Sequence, residues 1–141
     1  MDVRDIMTRN VVTLRKSDTV EKAARLMKEH DIGSIPVCEN HEVIGVVTDR
    51  DIALRSVACG KDKCTPLVEV MSESIVTGTP EMNVEEATRL MSDRQVRRLP
   101  ICNNEGLVGI VALGDMATTS QLQDEAEEAL NNISQPCEPC I

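Results

Sequence analysis

The chain has 141 residues, 15 basic and 24 acidic, so its formal charge is 15 − 24 = −9, and it contains no Phe, Tyr or Trp. That length suits one compact domain, or two small units sharing one core. Without Phe, Tyr or Trp there are no broad aromatic platforms for stacking bases, no aromatic cages for methylammonium groups and no tyrosine chemistry. The acidic balance argues against nucleic acid and anionic membranes as partners, and no run of about 18 apolar residues supports a transmembrane helix.

From the N-terminus, a short apolar turn comes first, at Val3, Ile6 and Met7. The opening residues Met1-Asp2-Val3-Arg4-Asp5 lack the apolar stretch of a signal peptide, so a cytoplasmic protein is expected. A brief strand is predicted at Val11-Val12-Thr13. A helix follows, with Thr19 as N-cap and Val20, Ala23, Ala24 and Met27 at helical spacing, ending near Gly33. Two strands come next, Ile35 to Val37 and Val43 to Thr48, joined by the polar turn Glu39-Asn40-His41-Glu42. A second short helix begins near Asp49 to Ala53.

The same series then recurs at an offset of 64 residues without a gap. Met7 falls on Met71, Thr13 on Thr77, Arg25-Leu26-Met27 on Arg89-Leu90-Met91, Pro36 on Pro100, Gly45 on Gly109 and Asp51 on Asp115. In all, 16 of the first 55 positions are identical to their mates. The second copy reads as a turn at Leu67, Val70 and Met71, then a strand at Ile75-Val76-Thr77. A helix capped by Asn83 follows, with Glu86 placed to complete a capping pattern. A hairpin with the turn Asn103-Asn104-Glu105-Gly106 comes next, then a helix near Gly114 to Ala117. The expected fold is α/β (α+β): two β-α-β-β-α repeats packed sheet to sheet with pseudo-two-fold symmetry. One repeat alone buries little surface, which is the physical reason to expect a pair. The boundaries are 1–58 for the first repeat, 59–66 for a linker, 67–118 for the second repeat and 119–141 for a tail. The core must be aliphatic, and the seven Met residues suit an interior without rings.

The tail carries much of the charge: residues 116–141 hold five acids and no base. Leu122, Ala126, Ala129, Leu130 and Ile133 fall at i, i+4, i+7, i+8 and i+11, the pattern of an amphipathic helix. Its apolar stripe covers either the chain's own core or a partner.

The chemistry concentrates in Gly45-Val46-Val47-Thr48-Asp49-Arg50-Asp51. A strand ends at a hydroxyl, and a carboxylate follows three residues later at the start of a helix. A carboxylate accepts from two vicinal hydroxyls and so clamps a ribose. A Thr hydroxyl with unpaired backbone N–H groups suits a phosphate. The same residues also read as an ordinary helix N-cap. Arg97 and Arg98 make a local cationic spot in an acidic protein, either for an anion or as a solvated, salt-bridged surface.

These fragments together resemble a tandem cystathionine-beta-synthase (CBS) domain pair, also called a Bateman module. The matching pieces are Asp5-Ile6-Met7-Thr8, Val11-Val12-Thr13, Ile32 to Val37 and Gly45 to Ile52. Their mates are Val70-Met71-Ser72, Ile75-Val76-Thr77, Val96 to Ile101 and Gly109 to Asp115. The resemblance spans about residues 1–118 and is nearest to small stand-alone prokaryotic CBS-pair proteins. It implies a regulatory module and no enzyme. The ligand would be AMP, ADP, ATP or S-adenosylmethionine in clefts between the repeats, with no cofactor required. By the same resemblance, Thr48 and Asp51 would contact phosphate and ribose in the primary cleft. Ile75, Val76 and Thr77 would flank the base there, and Arg97 and Arg98 would reach phosphate. The secondary cleft would use Val11, Val12, Thr13 and Asp115. It departs from the pattern: Ala112 replaces the hydroxyl, and Gly33 and Ser34 stand where the arginines are. That cleft is expected to be weak, empty or suited to a less phosphorylated ligand. A homodimer, or an unidentified protein partner, would carry the signal.

Six cysteines remain. Cys38 and Cys102 are repeat mates and read as small core residues, while Cys59 and Cys64 lie in the linker as a redox pair or two separate thiols. Cys137 and Cys140 form a terminal C-x-x-C, which supplies two of the four ligands zinc wants. His30 and His41 have no helix-spaced partner, so no metal site is expected. The competing readings of the whole are a ligand-free interaction scaffold and, behind it, a thiol or zinc module.

Overall fold

A computed structural model describes residues 1–73, 75–117, 129, 130 and 133. Its regular elements are α1 (Val20–His30), β1 (Ser34–Glu39), β2 (Glu42–Thr48), α2 (Asp49–Asp51, widening into π-turns over Ile52–Val57), α3 (Val84–Arg94), β3 (Arg98–Asn103), β4 (Gly106–Ala112) and α4 (Leu113–Ala117). Single turns of 3-10 helix precede each series, at Val3–Asp5 and Leu67–Glu69. Helix and strand therefore mix as expected, in two small sheets, β1-β2 and β3-β4.

Local chemistry sets the element ends. Thr19 caps α1 by accepting a bond from Lys22 N at 3.2 Å. Asn83 caps α3 through Glu85 N at 2.8 Å, so the bond expected to involve Glu86 goes one residue earlier. Helix α1 stops at Asp31, which takes the left-handed conformation at φ 53°, and not at Gly33. Gln95 does the same for α3 at φ 54°. The β1-β2 turn uses two left-handed residues, Asn40 at φ 52° and His41 at φ 68°. Two successive positive φ values are what a tight hairpin with native twist requires.

The predicted strands at Val11-Val12-Thr13 and Ile75-Val76-Thr77 are not regular strands. Each reaches the neighbouring hairpin through one residue just beyond it. Leu14 pairs in parallel with Val37, donating to Pro36 O at 3.1 Å and accepting from Cys38 N at 2.8 Å. Gly78 repeats this with Pro100 O and Cys102 N, both at 2.9 Å. A single pairing residue with half-buried valines beside it satisfies the edge of the hairpin without extending it.

The compact units are composed differently from the sequence repeats. A first body comprises Asn10–Ile75 and Asn104–Leu107. A second comprises Met1–Arg9, Val76–Asn103 and the described residues from Val108 onward. The opening segment of each repeat is thus counted with the main elements of the other. Backbone bonds show how each body is built. In the first, Leu67 N donates to Asp18 O at 2.8 Å, Val68 N to Lys16 O at 3.2 Å and Val20 N to Thr65 O at 3.0 Å. In the second, the mates obey the same scheme: Val3 N to Met82 O at 2.9 Å, Arg4 N to Pro80 O at 3.1 Å and Val84 N to Met1 O at 3.2 Å. Ser72 then exchanges two bonds with Val46, at 2.9 and 3.0 Å, and Thr8 exchanges two with Ile110 at the same distances.

Glycine is required where these segments dock. A Cβ at Gly45 would lie 2.8 Å from Ser72 O and 2.9 Å from Met71 Sδ. One at Gly109 would lie 2.6 Å from Met7 Sδ and 3.0 Å from Thr8 O. The repeated Gly and the repeated Met are therefore two halves of one contact.

Each body has its own aliphatic core. Leu14, Val20, Ala23, Ile35, Val37 and Val47 form one with Leu67, Val70 and Met71. Val84, Ala87, Met91, Leu99, Ile101 and Val111 form the other with Val3 and Met116. Thr88 sits inside the second core and satisfies its hydroxyl by donating to Val84 O at 2.8 Å. Of the tail stripe, Ala129 is fully buried in the second core, Ile133 packs on it and Leu130 is exposed. Leu122 and Ala126 lie outside the described residues, as do Cys137 and Cys140.

Candidate functional site

At the end of β2 the chain is still extended at Thr48 (φ −114°, ψ 162°) and turns into α2 at once. This corner aligns two side chains against each other. Asp51 N donates to Thr48 Oγ1 at 3.0 Å, and Thr48 N donates to Asp51 Oδ2 at 3.0 Å. The N-cap reading of these residues is therefore correct as structure. It also fixes what remains for a ligand. The Thr48 hydroxyl accepts one bond and still has its proton to donate. The other carboxylate oxygen, Oδ1, pairs with the Arg55 guanidinium, whose Nε lies at 3.8 Å. The Asp51 side chain is 15% exposed, so it is held without being sealed off. One donor and one acceptor on a rigid corner suit a hydroxyl-bearing ligand.

Arg55 was not singled out from sequence. The spacing of Asp51 and Arg55 at i, i+4 was the signal that would have found it. Arg55 also donates to Met71 O at 3.4 Å, which anchors it within the first body.

The second repeat builds the same corner with less. Ala112 N donates to Asp115 Oδ2 at 3.3 Å, and Ala112 has no hydroxyl to return the bond. Asp115 is exposed where Asp51 is half-buried.

The remaining sequence-derived residues divide between the bodies. Val11, Val12, Thr13 and Ile75 belong to the first, with Thr48 and Asp51. Val76, Thr77, Arg97 and Arg98 belong to the second, with Asp115. Val12 and Val76 pack against the cores of their own bodies, and Thr13 and Thr77 are exposed. Arg97 is exposed and Arg98 half-buried, and among the described residues neither forms an ion pair. The salt-bridged alternative for this arginine pair thus has no described partner.

Cys38 and Cys102 occupy equivalent positions in β1 and β3 but are only half-buried and belong to neither aliphatic core, so they are not the core residues expected from sequence. Cys59 and Cys64 are exposed, and Cys59 Sγ donates to Leu54 O at 3.4 Å. Among the described residues no group of three or more His, Cys, Asp or Glu is placed to hold a metal ion. No helix of the described residues is long and apolar enough to cross a membrane.

Comparison with known proteins places this architecture. The family model of the CBS domain matches residues 3–57 and again 67–120. The CBS domain-containing protein YhcV of Bacillus subtilis is 50% identical over 132 residues, 94% of each chain. The crystal structure of Hypoxic Response Protein I, described with two coordinated zinc ions, superposes with a TM-score of 0.78 at 35% identity. It covers 84% of this chain and 98% of its own. A hexameric CBS-CP12 protein from bloom-forming cyanobacteria superposes with a TM-score of 0.76 at 35% identity, covering 88% of this chain and 73% of its own. Duplicated model match, long full-length relatives and matching folds agree, and the chain belongs to the CBS-domain family as a tandem pair.

Proposed function

We propose that this CBS pair is a regulatory module that binds an adenosine nucleotide, AMP, ADP, ATP or S-adenosylmethionine, and is not an enzyme. Thr48 and Asp51 are the polar anchors, and Arg97 and Arg98 take phosphate. Ile75, Val76 and Thr77 flank the base, and Val11, Val12, Thr13 and Asp115 form a weaker second set. The observation that carries this reading is the Thr48–Asp51 pair. Two 3.0 Å bonds fix a hydroxyl and a carboxylate that each keep bonding capacity. Arg97 and Arg98 support it, because two guanidinium groups that form no ion pair among the described residues suit a phosphate. In a chain without Phe, Tyr or Trp the adenine lies among aliphatic groups such as Ile75 and Val76, so affinity leans on the polar anchors.

The ligand acts by biasing the packing of this chain or of a partner. Self-association as a homodimer fits the exposed Leu54 (50%) and Val57 (70%) of the first body. The hexameric CBS-CP12 relative shows that a CBS-containing chain can assemble with copies of itself. A cytoplasmic setting completes the proposal.

A ligand-free scaffold is favoured by one observation: Thr48 and Asp51 already satisfy each other as a helix cap. The two readings separate in a thermal-shift series with AMP, ADP, ATP and S-adenosylmethionine. A ligand that binds only the folded state raises the melting midpoint by mass action. The expected result is a rise with at least one of the four and its loss in Asp51→Ala. No rise with any of them at millimolar concentration sinks the nucleotide reading in favour of the scaffold. Because the chain has no Trp, Tyr or Phe, co-purified adenine would dominate its near-ultraviolet spectrum and give the same answer without added ligand.

A further inference from the structure

The segment between the two repeats carries chemistry that the duplicated fold does not use. Cys38 and Cys102 are repeat mates, whereas Cys59 and Cys64 stand opposite Gln123 and Glu128. The two linker thiols are therefore no part of the repeating framework. Both are free and exposed, and among the described residues they belong to no group placed to hold a metal ion.

The chain between them is built to close. No residue in 58–65 belongs to a helix or strand. The segment folds back twice: Lys61 N donates to Ser56 O at 2.9 Å, and Cys64 N donates to Asp62 Oδ1 at 2.8 Å. Gly60 takes the left-handed conformation at φ 73°, with open space where a Cβ would stand. A disulfide needs Cα atoms about 4.4–6.8 Å apart, and a loop with four residues between its cysteines reaches that by turning, with no ladder to break. The two thiols are not equivalent. Cys59 Sγ donates to Leu54 O at 3.4 Å, at the end of the widened helix. The sulfur of Cys64 forms no hydrogen bond among the described residues.

We propose that Cys59 and Cys64 form a reversible thiol–disulfide site on the linker, oxidised by a hydroperoxide. The Cys64 thiolate attacks a peroxide oxygen and the O–O bond breaks. The departing oxyanion leaves as alcohol or water with the proton that Cys64 gave up. Cys59 then attacks the sulfenic sulfur of Cys64: the S–S bond forms, the S–O bond breaks, and hydroxide leaves as water with the Cys59 proton. The two thiols lose two electrons and the hydroperoxide gains them. A dithiol reductant reverses the reaction by exchange. A disulfide has no S–H, so Leu54 O loses its sulfur donor on oxidation. This site is independent of the nucleotide reading.

Peptide mapping of the full chain tests this, after hydrogen peroxide at a few equivalents, capping of remaining thiols with N-ethylmaleimide and digestion with trypsin. The expected product is the tryptic peptide 56–61 joined to the one that begins at Cys64, in a protein that stays one chain on a non-reducing gel. Dithiothreitol should restore both thiols. The link should persist in Cys137→Ser/Cys140→Ser, and it should form several-fold more slowly in urea, where the folded-back loop is lost. In Cys59→Ser the sulfenic acid is trapped on Cys64 and labelled by dimedone, more strongly than Cys59 is labelled in Cys64→Ser. Circular dichroism confirms that the variants are folded. Four outcomes overturn the proposal: Cys59 and Cys64 still fully capped after Cys137 and Cys140 have oxidised, a link from either to another cysteine, a link between two chains, or equal rates in urea and buffer. Stronger dimedone labelling of Cys59 overturns the assignment of Cys64 as the attacking thiol.

Discussion

The corners at Thr48–Asp51 and Ala112–Asp115 have the same ancestry in the sequence and different hardware. In the first, hydroxyl and carboxylate hold each other with bonds of 3.0 Å in both directions. In the second, Ala112 N reaches an exposed Asp115 at 3.3 Å, and Ala112 has no hydroxyl to accept a bond in return. The backbone nevertheless turns from strand to helix at both places. The turn is therefore set by the hairpin and the core behind it, and the hydroxyl is an addition to that scaffold. A residue that is dispensable for the turn and present at only one corner is where a difference in binding belongs.

The comparison can be broken first at the level of the scaffold. Leu67 is fully buried in the first core, although it opens the second repeat. Leu67→Ala should cost about 2–5 kcal/mol, measured by chemical denaturation, as large-to-small core changes do. A cost near zero would mean that the opening segment does not belong to that core. Gly45→Ala and Gly109→Ala probe the docking contacts directly. Each forces a methyl to within 3.0 Å of a backbone oxygen or Met sulfur, so each should cost about 1–3 kcal/mol, and by similar amounts. Unequal costs would show that the two docking contacts are not equivalent. The smallest effect comes from exchanging the corners. Thr48→Ala should cost about 1 kcal/mol, and Ala112→Thr should recover about as much, because each removes or adds one capping bond. A neutral Ala112→Thr would show that the second corner cannot close its return bond.

Much of this was legible in the sequence because the chain contains its own alignment. The offset of 64 located both hairpins, both main helices and the paired corner before any coordinate. Three features escaped. The strands at Val11-Val12-Thr13 and Ile75-Val76-Thr77 have β-branched composition, yet only Leu14 and Gly78 pair, because propensity does not report how much edge a hairpin offers. Asp31 and Gln95 end their helices in left-handed conformations that glycine would have signalled more plainly. The exchange of opening segments left no local trace. Met7 and Gly109 carry it jointly, and a contact between residues so far apart has no periodicity to detect. At the site, spacing identified Thr48 and Asp51. It did not show that Arg55 stands over the carboxylate, because that depends on the helix continuing through residue 55.

The exchange also has a consequence for the order of events during synthesis. Thr8 leaves the ribosome long before Ile110, yet its two backbone bonds are to that residue. Leu67 and Ser72, by contrast, find Asp18 and Val46 already made. The first body therefore has nearly all its parts once residue 75 has emerged, while the opening nine residues wait for the other body's strands. Contacts of long sequence separation are the slow ones to form. Released chains ending near residue 80 should accordingly protect Val46 N from hydrogen exchange while Thr8 N remains open. Protection of both would mean that the opening segment has an earlier partner of its own.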